Sequence, residues 1–196
     1  MTNKNYHFFA FLSRMKYINR WGLMRNTQPE NIQEHSLQVA VISHALANIR
    51  NAYFGGNLNP ERIAVIGIFH DCNETITGDM PTPIKYFNPD IYKAYESIEA
   101  ISKNKLLAML PDELREIYSS FLFKDGDDEE CWKIVKAADR ISAYMKCIEE
   151  EKAGNREFKK AGQAILKSIK QIDLPEVKYF MEKFTPSFSL TLDELD

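Results

Sequence analysis

Imidazoles next to carboxylates mark where this chain could do chemistry. It has four histidines, His7, His35, His44 and His70, and the last stands in Phe69-His70-Asp71-Cys72-Asn73-Glu74. Neighbouring helical residues diverge by about 100°, yet at a helix end both can lean on one metal ion. Glu74 lies four residues after His70 and three after Asp71, which returns it to the same side of a helix. A His-Asp dipeptide alone is a weak signal. Two further residues strengthen it. His35, in Glu34-His35-Ser36, opens an apolar helical run. Asp139 follows Val135 and Ala138 and precedes Ser142 and Met145, so it sits near an apolar helix face. A buried ionised carboxylate is costly unless it is paired or binds metal. Asp139 therefore calls for a cation, either a metal or an ion-pair partner, and Arg140 lies too far round the helix to be the obvious one.

The elements that must position these residues are helical nearly throughout. Phe8, Phe11, Leu12, Met15 and Ile18 share one face and predict a first helix. Leu37, Val41, Ala45 and Ile49 mark a second, with Ile42 and Leu46 widening its buried stripe. Asn59-Pro60 is a cap followed by proline at the first helical position, and this third helix should run to about Thr75, before Gly78. Proline at 81 and 83 makes Gly78 to Pro89 a stiff irregular loop. Further helices fit Asp90–Met109, Pro111–Phe123, Asp128–Ala153, Arg156–Ile172 and Pro175–Phe184. Strand alternation is confined to Ser187–Leu192. No repeat and no Gly/Ser linker divides the chain, so residues 1–196 read as a single all-α domain.

Composition sets outer bounds. The 196 residues carry a net charge of −3, which argues against a protein that lives on the nucleic-acid backbone. No run approaches the ~20 apolar residues of a membrane helix. Three scattered cysteines, Cys72, Cys131 and Cys147, suit a reducing, cytoplasmic compartment and small apolar packing roles. From Met1 to Pro29 there are five basic residues and no acid (Lys4, Arg14, Lys16, Arg20 and Arg25), a loose likeness to a presequence.

The order His35, His70-Asp71, Asp139 resembles the HD-domain phosphohydrolases. The likeness narrows with Arg20-Trp21 ahead of the first histidine and Gly78-Asp79-Met80-Pro81-Thr82-Pro83-Ile84-Lys85-Tyr86-Phe87 after the pair. From His7-Phe8-Phe9 to Pro186-Ser187-Phe188 the chain is similar to the bacterial HD-domain 5′-deoxynucleotidases, and Arg20-Trp21 then belongs to the site and not to a leader. The resemblance implies an HD-type helical bundle with one divalent cation at its centre, held by His35, His70, Asp71 and Asp139. Two imidazoles and two carboxylates suit cobalt, manganese or a similar transition metal, with positions open to water and phosphate. It also implies hydrolysis of 2′-deoxyribonucleoside 5′-monophosphates, and a homodimer.

Residue roles follow from the same resemblance. Arg20 would orient the phosphate, which its planar fork suits. Trp21 would crowd out a 2′-hydroxyl, and Asp79 would accept a hydrogen bond from the sugar. Met80, Pro81 and Thr82 continue the substrate loop, and Asp71 and Asp139 stand among the substrate-binding positions as well. Glu74 takes the acid/base position. Each has a plain alternative: Arg20 as a helix cap, Trp21 as core, Asp79 as a turn residue, Glu74 as a solvated or supporting carboxylate. His44 reads as a satisfied core histidine, and Glu149-Glu150-Glu151 as a solvated face. Lys85 either adds charge for phosphate or is a solvated loop lysine, and His7 is unassigned. The rival activities are another HD chemistry (dNTP triphosphohydrolase or cyclic-nucleotide phosphodiesterase) and a nucleotide-binding regulator without catalysis.

Overall fold

A computed structural model describes residues 5–124 and 126–195. Among the described residues ten α-helices follow one another: α1 (Phe8–Leu12), α2 (Ile32–Phe54), α3 (Pro60–Phe69), α4 (Glu74–Thr77), α5 (Thr82–Lys85), α6 (Pro89–Leu107), α7 (Asp112–Leu122), α8 (Glu129–Lys152), α9 (Lys159–Lys170) and α10 (Pro175–Lys183). Among the described residues there is no strand, only an isolated antiparallel bridge between Asn19 and Asn31. The two long helices, α2 and α8, lie together at the centre. Helices α3 and α10 pack on α2, and α9 packs on α8. One apolar core, with Leu46, Ile63, Ile66, Ile134, Ile141 and Met145 fully buried, joins α2, α3 and α8. A second gathers Phe8, Ile32, Cys72, Leu106, Leu110 and Leu122 beneath the N-terminal segment.

Local chemistry explains where the site-bearing helices begin. Asn31 Oδ1 accepts from the Glu34 amide at 3.0 Å while Glu34 Oε2 accepts from the Asn31 amide at 3.1 Å. This reciprocal cap starts α2 just before His35. Asn59 caps α3 with Pro60 next, as the sequence predicts. At the far end of α2, Gly55 takes φ 66°, the left-handed closure that glycine permits.

Several expectations need correction. The third helix stops at Phe69 and not near Thr75. The chain then tightens, with the Cys72 amide bonded to the Phe69 carbonyl and the Glu74 amide to the Asp71 carbonyl, before α4 resumes. The loop after Gly78 contains a helical turn, α5. The first helix gives way to 3-10 geometry at Ser13, and the alternation expected at Ser187–Leu192 falls instead on two 3-10 turns, Thr185–Ser189 and Leu192–Glu194, and the link between them. Leu37 and Val41 are 63% and 62% exposed, because Val39, Ile42 and Leu46 form the buried stripe of α2. His44 is exposed on the same helix and is no core histidine. Glu150 is buried, so its acidic run is not simply a solvated face.

The helix crossing that matters for the site is α2 against α3. A Cβ added at Gly67 would lie 2.9 Å from Ala40 Cα, closer than real side chains come to backbone. Glycine lets the two helices approach until the rings of His35 and His70 are 5.3 Å apart between centroids. Gly67→Ala should separate them, lowering stability by about 1–3 kcal/mol and weakening divalent-cation affinity. Thermal unfolding and calorimetric titration with manganese measure the two effects. An unchanged affinity would mean that the crossing does not set the spacing of the rings.

Candidate active site and metal centre

Three separated segments deliver one cluster. His35 comes from the first turn of α2, His70 and Asp71 from the tight turn after α3, and Asp139 from the middle of α8. Asp71 Oδ2 lies 3.0 Å from His70 Nε2 and 3.7 Å from His35 Nε2, while Asp139 Oδ1 lies 3.1 Å from His35 Nε2. Donor atoms that share one transition-metal ion at bonds near ~2.1 Å stand about 3 Å apart. The buried Nε2 atoms of both histidines make no well-formed hydrogen bond, although carboxylate oxygens stand this close. Converging donors of this kind, with ligand atoms of His35, His70 and Asp71 all within 4.8 Å, fit a divalent cation.

The far side of each ring sets its readiness. His70 Nδ1 lies 2.7 Å from the Gly67 carbonyl and donates to it, which leaves the Nε2 lone pair for a metal. His35 differs. Arg20 Nη1 approaches His35 Nδ1 at 2.8 Å, and an arginine only donates, so this ring carries its proton on Nε2. Ligation through Nε2 requires the other tautomer, with Nδ1–H turned to Ser142 Oγ, now 3.1 Å away. Ser142 in turn donates to Gln38 Oε1 at 2.5 Å.

Electrostatics divide the carboxylates into two kinds. Burial opposes the charge on Asp71, but the closeness of His70 and then the charges of His35 and Arg20 outweigh it and hold the pKa well below the usual range. Asp139 is likewise lowered, with burial overcome by the closeness of His35. Glu74 goes the other way. Burial first, then the charges of Asp71 and Asp79, push its carboxyl up to about 10, and its Oε2 has no hydrogen-bond partner. Burial also raises Asp79, with Arg20 opposing. His35 falls below its ordinary value through burial and the charge of Arg20, which favours the neutral ligand form. Burial works against the charge of Arg20, but Glu30 and then Asp139, Asp71 and Asp79 keep it a cation.

Arg20, His35, His70, Asp71, Glu74 and Asp139 therefore share one charged neighbourhood. Trp21 adjoins it, half-buried, its ring 5.2 Å from that of Phe158. Trp21 has φ 59°, the left-handed region that favours glycine. Asp79 is close enough to feel Arg20 and Asp71. Met80 and Pro81 are partly buried, and Thr82 is exposed at the start of α5. Lys85 is committed elsewhere, 2.9 Å from Glu99 and over the Tyr95 ring.

Sequence reasoning passed over Glu30, Ser142, Gln38 and Glu150. Glu150 accepts from Lys146, from the Thr27 amide at 2.9 Å, from the Thr27 hydroxyl at 2.6 Å and from Asn155 at 2.8 Å. It thereby ties the loop that follows Trp21 to α8. Glu30 had one visible signal: it is the first acid in the chain.

Known proteins match this arrangement along its length. The model of the 5′-deoxynucleotidase YfbR-like family fits residues 7–188. A 5′-deoxynucleotidase of Vibrio parahaemolyticus is 53% identical over 192 residues, covering 98% of this chain and 99% of that one. Among solved structures, an HD-domain phosphohydrolase of Listeria innocua superposes with a TM-score of 0.80 at 25% identity, covering 93% of this chain and 88% of that one. The cyanophage S-2L HD phosphohydrolase, solved with dA and one catalytic Zn2+ ion, shares the fold at a TM-score of 0.63 and 18% identity, over 93% and 96% of the two chains. Extensive identity on an HD-type bundle of helices makes the chain a member of the YfbR-like 5′-deoxynucleotidase family.

Proposed function

We infer that this protein removes phosphate from 2′-deoxyribonucleoside 5′-monophosphates with the help of one divalent cation. The observation that carries the reading is the juxtaposition of a converging His-His-Asp donor set with a partly buried, cationic Arg20, in a chain of this family. We assign His35, His70, Asp71 and Asp139 to the cation, cobalt, manganese or a similar transition metal. When bound, such an ion polarises a phosphoryl oxygen and makes an attacking water more acidic.

The protein's own groups do the rest. Arg20 offers a planar, permanently charged fork that aligns the phosphate. Glu74 holds or passes the proton that the departing 5′-oxygen needs, a role suited to a carboxyl whose burial and acidic neighbours Asp71 and Asp79 favour its protonated form. Asp79 accepts from a sugar hydroxyl, the segment Met80, Pro81 and Thr82 borders the sugar, and Trp21 excludes a 2′-hydroxyl. Asp71 and Asp139 meet the substrate where they meet the cation. We further infer that the chain works in the cytoplasm, consistent with three free cysteines. It does so as a homodimer, a reading favoured by the apolar surface left open at Leu37 and Val41. Among the described residues no helix is long and apolar enough to cross a membrane.

The test is phosphate release from paired dAMP and AMP, using metal-stripped protein reloaded with cobalt, manganese, magnesium or zinc. Cleavage of dAMP in preference to AMP, dependent on the cation, is the expected result. Trp21→Ala should admit AMP and narrow the preference by about tenfold or more. Release of triphosphate from dATP, without phosphate release from dAMP, would replace this reading with the triphosphohydrolase one. Tight dAMP binding without turnover in every metal would leave a regulator.

A further inference from the structure

The segment from Asn19 to Asn31 is a loop that closes on itself. Its neck is the Asn19–Asn31 bridge, where the Arg20 amide donates to the Glu30 carbonyl and the Ile32 amide to the Ile18 carbonyl, both at 2.9 Å. Inside this neck lies the Glu30 side chain, which is 11% exposed. A single oxygen, Oε2, accepts from Arg20 Nη1 at 2.9 Å and from Trp21 Nε1 at 2.9 Å. The other oxygen, Oε1, stands 3.9 Å from His35 Nδ1. Arg20 is also within reach of the Trp21 ring, its guanidinium carbon 5.7 Å from the centroid.

We propose that Glu30 is a positioning residue that sets phosphate alignment and sugar discrimination together, because one carboxylate oxygen holds both Arg20 and Trp21. The proposal rests on the deoxynucleotidase reading for what those two residues touch. The guanidinium meets Glu30 through Nη1, which leaves its Nε–Nη2 edge uncommitted to that carboxylate and available to a phosphate. The indole has a different tether. Its backbone is left-handed, an arrangement other residues avoid, and the Nε1–H bond to Glu30 fixes the ring from inside the loop. Phe158 supports the ring from outside.

Without Glu30, a partly buried guanidinium would have Asp139, Asp71 and Asp79 as its remaining nearby anions and would turn toward the carboxylates assigned to the cation. The indole would lose its hydrogen bond in the same step. Glutamine keeps a carbonyl oxygen in place that can accept both N–H groups, although it gives up the charge. Geometry and charge are thereby separable.

The test compares Glu30→Ala and Glu30→Gln by kcat and KM on dAMP and on AMP, with manganese affinity and thermal unfolding measured in parallel. Glu30→Ala should lower kcat/KM for dAMP about 10- to 100-fold, mainly through kcat, and collapse the dAMP-to-AMP ratio. Glu30→Gln should restore most of that ratio. A folded Glu30→Ala protein that keeps the wild-type ratio overturns the proposal. If Glu30→Ala does not fold, Trp21→Phe decides, since it keeps a ring and drops the N–H; an unchanged ratio again overturns it.

A second readout needs no turnover. The chain has two tryptophans. The other, Trp132, is buried with no hydrogen-bond partner for its N–H, so Trp132→Phe sacrifices none and leaves Trp21 as the sole indole emitter. In that background Glu30→Ala should increase quenching of Trp21 fluorescence by acrylamide, and Glu30→Gln should not. Unchanged quenching overturns the clamp whatever the substrate. A wild-type enzyme with no preference for dAMP would instead overturn the deoxynucleotidase reading, and the fluorescence result would judge Glu30 by itself.

Discussion

Asp71→Asn leaves a folded protein that binds manganese or cobalt at least about 100-fold more weakly and releases phosphate from dAMP at least about 1,000-fold more slowly. Asparagine has nearly the same shape, so packing is not the issue. What disappears is the anion 3.0 Å from His70 Nε2 and 3.7 Å from His35 Nε2, the carboxylate both histidines face. An amide is a poorer donor to a divalent cation and leaves one positive charge more in a buried site. The loss in rate corresponds to about 4 kcal/mol at the transition state, within what a Lewis-acid cation supplies. Calorimetric titration and phosphate release check the two numbers, and treating the wild type with a chelator should reproduce the second. Full activity in thoroughly chelated protein would remove the cation from the reaction altogether.

Glu74→Gln separates binding from turnover. Metal and nucleotide affinities should stay within a few-fold of wild type, while kcat falls about 100- to 10,000-fold, the range that positioned proton transfer contributes. Near-wild-type kcat would cancel the acid/base assignment. A pH signature accompanies it in the metal-stripped protein. Burial and the charges of Asp71 and Asp79 raise this carboxyl to about 10 in the folded chain, above an unfolded value of 4.5. Between those values the folded state holds a proton that the unfolded state releases. The stabilisation is therefore full below the unfolded value and is lost as pH rises through the folded one. Glu74→Gln has no proton to lose, so its thermal midpoint should show a flatter decline across that window. Equal slopes in the two proteins would mean that Glu74 is ionised in the metal-free site.

The parts legible in the sequence were those where chemistry narrows the choice of residue. His35, His70, Asp71 and Asp139 could be singled out because metal-binding residue types in that order resemble the HD-domain phosphohydrolases, and the structure brings all four together. The helix start at Asn59 carries a local signal that acts over a few residues, whereas the cap at Asn31 emerged only with the fold. The rest depended on distance along the chain. On α2, Leu37 and Val41 compete with Val39, Ile42 and Leu46, and periodicity cannot say which apolar stripe meets α8. The break after Phe69 has neither glycine nor proline to announce it. Glu150 sits in an acidic run that looks solvated, yet its partners Thr27 and Asn155 come from two loops that only the fold assembles. Glu30 gains its role when a loop closes on itself, which no spacing rule encodes.

The left-handed backbone at Trp21 is followed directly by Gly22, a residue that would occupy that conformation without strain. Exchanging the two would spare the fold about 1–3 kcal/mol of backbone strain. It would also move the indole out of reach of Glu30 and Phe158. The chain keeps the harder order, and if Trp21 reads the sugar as proposed, backbone ease and substrate discrimination pull against each other at this one dipeptide. An engineering programme that optimises this backbone alone would rewrite it and, on the role proposed for Trp21, would return an enzyme with poorer judgement of its sugar.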